Sequence, residues 1–444
     1  MVHIIRKKLL QKLNRHGAES QYIYKIWVCW FFCTLFLEIT NSQKGGFYMT
    51  DELLIIRKDN KIITATIEDS RITGLQAENA EEKSILGNIY IGKVKNIVKN
   101  INAAFVEFQK GQTGYLSLDM KQCPIHTDGV HYQEGRVLID DEIIVQVERE
   151  AVKTKPPTLT GSLSLPGRYM VLVSEGGRNG VSSKIRDKDI RNRLAGIISQ
   201  YATEEYGFIA RTNSAGASTE EIISEIEMLS AKYKDIVDYG KHKAAFSCLY
   251  SAPPGYLGSI INSYNDRLGR IWTDDQEIYN NIKAFLGEKE NSLAAKLGFW
   301  DNNNGKLEAV YNIPKTLERA LMPKVWLKSG AYIIIQPAEA LVAIDVNTGK
   351  AVSKKKDVQK TFLKVNLEAA KEIAVQLRLR NLSGIIIIDF IDMEDEENHK
   401  LLMECLRHEF AKDSVQTKLV DMTKLGLIEV TRKKTRKPLY MQML

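Results

Sequence analysis

Two aspartates close apolar runs near the end of the chain, in Leu341-Val342-Ala343-Ile344-Asp345-Val346-Asn347 and in Ile385-Ile386-Ile387-Ile388-Asp389-Phe390. A carboxylate ending a buried strand is costly unless it is paired or metal-bound. Two of them close together repel, and a hard divalent cation that keeps several waters relieves the repulsion. Asn347 lies two residues beyond Asp345, on the same side of an extended strand, where its amide can hold a water or a phosphate oxygen. The alternative is structural, with Asp345 capping a helix and Asp389 paired with an Arg or Lys. Asp392 competes with Asp389 as a ligand, while Glu394, Asp395, Glu396 and Glu397 read as a solvated helix face.

Two further groups of residues have chemistry in their spacing. Phe105 alternates with Ala104 and Val106, and Tyr115 with Gly114 and Leu116, so each ring falls on the polar side of its strand. Rings in that position can stack on unpaired bases; packing at a sheet edge is the alternative. Lys153 and Lys155 follow and can meet a phosphate backbone, although a solvated loop also explains them. The segment Gly207-Phe208-Ile209-Ala210-Arg211-Thr212 delivers a guanidinium and a hydroxyl into the small-residue turn 213–216, a plausible phosphate pocket but a weak signal alone. Lys424, Arg432, Lys433, Lys434, Arg436 and Lys437 form a basic terminal cluster.

The elements that must position these residues follow from periodicity. Between the two aspartates, Leu363, Leu367, Ala370, Ala374 and Leu377 carry a helical repeat. Strand, helix and strand predict a crossover onto a parallel pair, which brings both carboxylates to one carboxyl edge. Residues 53–67 read as a hairpin about Lys58-Asp59-Asn60. Residues 83–150 hold several short strands, and a small oligonucleotide-binding barrel is the natural candidate. Pro156, Pro157 and Pro166 mark a boundary near residue 160, followed by mixed strands and helices to residue 256. Residues 257–320 read as largely helical and polar.

At 444 residues, with 44% hydrophobic and 26% charged side chains, the chain has room for several globular domains and no bias toward disorder. Its net charge of +7 is less informative than it looks, because residues 1–48 contribute +5 and leave only +2 elsewhere. Any nucleic-acid affinity must therefore come from local patches. Cys29, Cys33, Cys123, Cys248 and Cys405 fit neither a disulfide framework nor paired zinc knuckles, which favours reduced thiols in a cytosolic enzyme. Residues 1–48 join basic residues to an apolar run, Ile26 to Leu37, too short to span a bilayer as a helix. They are expected to precede the true start at Met49, so that deleting them leaves folding and activity intact; membrane tethering through this segment is the alternative.

Taken together, these segments resemble the catalytic half of the ribonuclease E/G family. The resemblance is carried by Asn88-Ile89-Tyr90-Ile91-Gly92-Lys93-Val94, Ala103-Ala104-Phe105-Val106, Leu163-Ser164-Leu165-Pro166-Gly167-Arg168-Tyr169 and Gly207 to Thr212. It continues through Ala343 to Asn347, Asn366 to Ala370, Gln376 to Arg380 and Ile388 to Met393. It implies an α+β multidomain chain in which an S1 barrel (83–158) is inserted in an RNase H-like fold split between 49–82 and 257–320. A 5′-sensor domain (159–256), a DNase I-like catalytic domain (321–438) and a tail (439–444) complete it. The implied activity is magnesium-dependent endonucleolytic cleavage of single-stranded RNA, ribosomal precursor or messenger, favouring 5′-monophosphorylated ends and leaving 5′-phosphates.

By that resemblance Asp345 and Asp389 bind magnesium and Asn347 supports the scissile phosphate. Arg211 and Thr212, helped by Gly167 and Val171, hold the 5′-monophosphate, and Phe105, Tyr115 and Lys155 clamp RNA. Two departures stand out. The family's Cys-Pro-x-Cys segment after Pro438 is missing, so its zinc link is expected to be absent and any homodimer weak. Ser183, followed by Lys184, stands where the pattern often has Arg. A non-catalytic S1-type RNA-binding protein and a membrane-tethered scaffold are the competing classes.

Overall fold

In the computed structural model, the described residues are 50–81, 84–119, 124–127, 136–151, 155–262, 267–287, 293–350 and 358–444. The leader 1–48, with its deletion and membrane alternatives, lies outside them, as do Lys153, Cys29, Cys33 and Cys123. Strands Asp51–Lys58 and Lys61–Glu68 pair antiparallel, as the hairpin reading expects, with Asp59 at φ 51° in the turn. Short polar side chains tolerate that left-handed backbone. Arg71–Asn79 adds a third antiparallel strand. Leu268–Thr273 then pairs parallel to the first strand, and Leu297–Phe299 extends the sheet beyond it. The stretch 257–320, read as largely helical, therefore also supplies two strands to a sheet begun near residue 51. Both faces of that sheet are covered: Leu53 and Ile55 pack with Ile260, Ile278 and Ile282, while Leu54 and Ile56 pack with Leu307 and Ile313.

A second sheet closes on itself. Ile89–Val98 pairs with both Ala103–Gln109 and Glu142–Arg149; Thr158–Thr160 bridges Gln112–Ser117 back to Glu142–Arg149. The result is a five-stranded barrel, whose closure removes exposed edges. Alternate residues Ala104, Val106, Phe108, Leu116, Val145 and Val147 fill it. The interior is tight, since a Cβ on Gly114 would come within 2.6 Å of the Leu159 side chain.

Residues 164–210 form a four-stranded sheet in the order 180–181, 207–210, 170–173, 164–166. Helices Lys188–Tyr201 and Thr219–Gly240 cover the face that carries Met170, Leu172, Phe208 and Ala210. The second helix starts in a capping box, Ser218 with Glu221, which satisfies two otherwise orphaned N–H groups.

The last sheet has six strands: Lys324–Trp326, Tyr332–Pro337, Leu341–Asn347, Gly384–Asp389, Ile428–Arg432 and Thr417–Met422, in spatial order. Only Leu341–Asn347 and Gly384–Asp389 run parallel, joined by the long helix Val358–Leu379. That helix and Glu396–Ala411 cover one face, burying Val342, Ile344, Val346, Ile386 and Ile388. The opposite face carries half-buried and exposed residues. Arg432, read as part of a basic surface cluster, is instead buried: its Nε donates to Asp413 at 2.7 Å and its Nη1 to Asn381 at 2.9 Å. Residues after Pro438, read as a tail, begin with helix Leu439–Met443, where Leu439 is buried and Gln442 accepts from the Ala77 N–H at 2.7 Å.

Candidate active site

Strand alternation decides where the two aspartates point. Val342, Ile344 and Val346 face the helices, so Ala343, Asp345 and Asn347 face the open side. In the neighbouring strand Ile386 and Ile388 face inward and Asp389 outward. The register then pairs Asp345 directly with Asp389. Adjacent strands lie about 4.8 Å apart, so both carboxylates are within reach of one cation.

Neither carboxylate is fully buried, contrary to the expectation for one that ends a buried strand. Both are exposed, on the face of the sheet that the described helices leave open. The structural alternatives find no support among the described residues. Asp345 lies within a strand and not at a helix start, and among the described residues the charges acting on Asp389 are Asp345 and Asp392, both negative. Partial burial first, then those two carboxylates, raises the Asp389 pKa above its ordinary value. Asn347 Nδ2 donates to Asp345 Oδ2 at 2.5 Å, fixing one oxygen of that carboxylate.

A residue without an assigned role in the sequence positions this edge. Asn366, fully buried on the crossover helix, donates from Nδ2 to the Ile391 carbonyl at 2.8 Å and accepts the Ile391 N–H on Oδ1 at 3.1 Å. The loop just beyond Asp389 is thereby pinned to the helix. A polar residue on an apolar helical stripe was the available signal.

The donor set suits a hard cation. Two carboxylates and an amide oxygen, open to solvent, match magnesium's preference for few protein ligands and several retained waters. They offer no soft donor for zinc or copper. Among the described residues no group of three His, Cys, Asp or Glu side chains converges as a metal site.

The Arg211 region is built differently. Arg211 Nη1 donates to the Gly167 carbonyl at 2.7 Å and Nη2 to Asn262 Oδ1. Thr212 Oγ1 lies 3.1 Å from Ser182 Oγ at the start of a short helical turn. Val171 is opposite Ile209, two residues before Arg211, and so shares its face. Gly167, Val171, Arg211 and Thr212 are thus brought together, with Ser182 and Asn262 as additions that spacing did not reveal. The organising group is Glu225, whose carboxylate accepts the N–H groups of Arg168, Tyr169 and Met170 at 2.6, 2.6 and 2.8 Å. Desolvation raises its pKa, against the pull of those bonds and of Arg211. A Cβ on residue 167 would sit 2.6 Å from this carboxylate, which explains the glycine. Glu225 occupies the helix stripe of Ile222, Ile226 and Leu229, and a carboxylate in such a stripe was its signal.

On the barrel, Phe105 and Tyr115 are register partners with ring centroids 6.2 Å apart, edge to face, both half-buried on the outer surface. Lys155 is exposed two residues before Pro157, whose carbonyl accepts the Tyr115 N–H at 2.8 Å. Cys405 is half-buried and packs against the core of the last sheet. Among the described residues no helix is long and apolar enough to cross a membrane.

Residues 164–435 match the profile of the Ribonuclease E/G family. Ribonuclease G of Haemophilus influenzae is 32% identical over 87% of this chain and 80% of its own length. Ribonuclease G of Escherichia coli K12 is 31% identical, over 87% and 81% respectively. Ribonuclease E of a Nostoc species is 30% identical over 87% of this chain and 56% of its own. The chain belongs to the ribonuclease E/G family and is an endoribonuclease.

Proposed function

We propose that the chain is a magnesium-dependent endoribonuclease that cuts single-stranded RNA, such as ribosomal precursors or messengers, and favours substrates with a 5′-monophosphate. The observation that carries this reading is the direct register pairing of Asp345 with Asp389 on an open sheet face, with Asn347 bonded to Asp345. Asp345 and Asp389 hold the cation. Magnesium, when bound, supplies positive charge at the scissile phosphate and lowers the pKa of water there. Asn347 gives one N–H to Asp345 and keeps the other for a phosphate oxygen or an attacking water. Cleavage leaves 5′-phosphate and 3′-hydroxyl ends.

Arg211 and Thr212 form the 5′-monophosphate pocket, with Gly167 and Val171 in its wall. Two of the guanidinium's five donors are spent on Gly167 and Asn262, which aims the remaining fork. Burial lowers the Arg211 pKa, with Glu225 opposing, so an anionic ligand compensates a partly desolvated cation. Phe105 and Tyr115 offer a stacking surface, and Lys155 a phosphate contact. In domain terms, the closed barrel is the S1 module and the sheet shared by residues 51–79 and 268–299 is RNase H-like. Residues 159–256 are the 5′-sensor, and the two-layer unit from 321 is the DNase I-like catalytic domain.

Incubation of the purified chain with 5′-monophosphorylated and 5′-hydroxyl oligoribonucleotides, with and without magnesium, tests the reading. Cleavage that needs magnesium and runs faster on the monophosphorylated RNA is expected. Equal rates with chelator present would overturn it.

A further inference from the structure

The open face of the last sheet carries a second cluster that the magnesium edge does not use. Trp326 is 61% exposed although it lies in a strand. It is the register partner of Tyr332, and Tyr332 is the register partner of Asn347. Lys324 is likewise opposite Ile334, and Ile334 opposite Asp345. Residues directly opposite across strands share a face. Lys324, Trp326, Tyr332, Asn347, Asp345 and Asp389 therefore form two adjacent rows on one surface. Two strand spacings, roughly 10 Å, separate Trp326 from Asn347.

The cluster is ordered by its own contacts. The Trp326 and Tyr332 rings lie 5.2 Å apart, inclined at 62°. Lys324 Nζ sits 4.2 Å from the first ring centroid and 3.6 Å from the second. An ammonium shared by two rings holds both in place and puts positive charge beside them. Exposed aromatic faces next to a fixed cation suit a ligand with a planar base and a phosphate, as single-stranded nucleic acid sites do. A row that ends in two carboxylates repels anions, so the ammonium also gives an approaching RNA backbone a favourable side from which to enter.

We propose that Trp326 and Tyr332, held by Lys324, form a base-stacking subsite for a nucleotide one or two positions from the scissile phosphate, with Lys324 facing the adjoining phosphate. The proposal rests on the reading of Asp345 and Asp389 as the cleavage edge and adds a specificity-determining surface to it. It makes the choice of cleavage position depend on a base that touches no catalytic group.

The test uses the full chain and a single-site 5′-monophosphorylated oligoribonucleotide, intact or carrying one abasic residue at successive positions around the cut. Wild type should lose roughly tenfold in kcat/KM when the abasic residue falls at one flanking position. Trp326→Ala should lose about as much on the intact RNA and nothing further at that position. Trp326→Phe should recover most of the loss, which merely weakened folding would not predict. If the abasic and Trp326→Ala losses multiply, or Trp326→Ala cleaves like wild type, the subsite is wrong. If Trp326→Ala changes only the dependence of activity on enzyme concentration, the face covers a second copy of the chain and the subsite is again wrong. Wild-type cleavage abolished by Asp345→Asn, with either negative result above, leaves the cleavage edge standing and removes only the subsite; a wild type that does not cleave with magnesium overturns both.

Discussion

The two candidate regions differ in how much structure each uses. At the Asp345–Asp389 edge, strand alternation and one register relation suffice, and the side chains are exposed with one hydrogen bond between Asn347 and Asp345. Around Arg211, contacts converge from four separate stretches of chain: Gly167 to Met170, Ser182, Glu225 and Asn262. The open carboxylate edge suits the proposed cation and its waters. The Arg211 region is pre-tightened, which suits the proposed 5′-monophosphate pocket, because rigid donors lose less entropy on binding. Damage should therefore read out differently: lost chemistry at the first, lost preference at the second.

The largest effect is expected from the double variant Asp345→Asn, Asp389→Asn. Cleavage should fall by at least about 10²-fold, while affinity for RNA, measured by filter binding or anisotropy, stays near wild type. Equal losses of binding and cleavage would mean that these residues hold RNA and not a cation. Next comes Asn366→Ala, which leaves the Ile391 N–H and carbonyl unpaired beside a buried space. A stability loss of about 1–3 kcal/mol is expected. A drop in cleavage of roughly tenfold or more should accompany it, since the loop after Asp389 is released. Denaturant unfolding and single-turnover cleavage check the two parts, and wild-type values in both would remove Asn366 from the site's support.

These two regions were unequally legible in the sequence. The placement of the two carboxylates could be read because its determinants are local: two apolar runs, a helical repeat between them, and alternation by two. The barrel was legible for the same reason. Spacing could not reveal Glu225, Ser182 or Asn262 as partners of the Arg211 region, because each arrives from a distant stretch through tertiary packing. The strands Leu268–Thr273 and Leu297–Phe299 escaped as well, since short strands between polar helices carry too few alternations to outweigh the helical pattern. Arg432 was misplaced on the surface because one charged residue in a basic run gives no sign of a buried partner such as Asp413.

Smaller effects belong to the Arg211 region and the barrel. Gly167→Ala forces a methyl to within 2.6 Å of the Glu225 carboxylate, and should cost about 1–3 kcal/mol of stability. Its functional signature is a reduced ratio of cleavage rates between 5′-monophosphorylated and 5′-hydroxyl RNA, with the 5′-hydroxyl rate held. A ratio unchanged in a folded variant would separate Gly167 from 5′-end recognition. Phe105→Ala should weaken RNA binding by about 1–3 kcal/mol, without regard to the 5′ end, because stacking is blind to it. Loss confined to monophosphorylated RNA would place Phe105 with the sensor and not the barrel surface.

The central claim is that Asp345 and Asp389 share one magnesium ion that drives cleavage. It is tested most directly by the magnesium dependence of cleavage for wild type and Asp345→Asn on the same 5′-monophosphorylated RNA. Removing one of two ligand charges should move the half-activating concentration up by roughly tenfold or more and lower the plateau. An Asp345→Asn variant that shares the wild-type magnesium midpoint and reaches the same plateau would contradict the account.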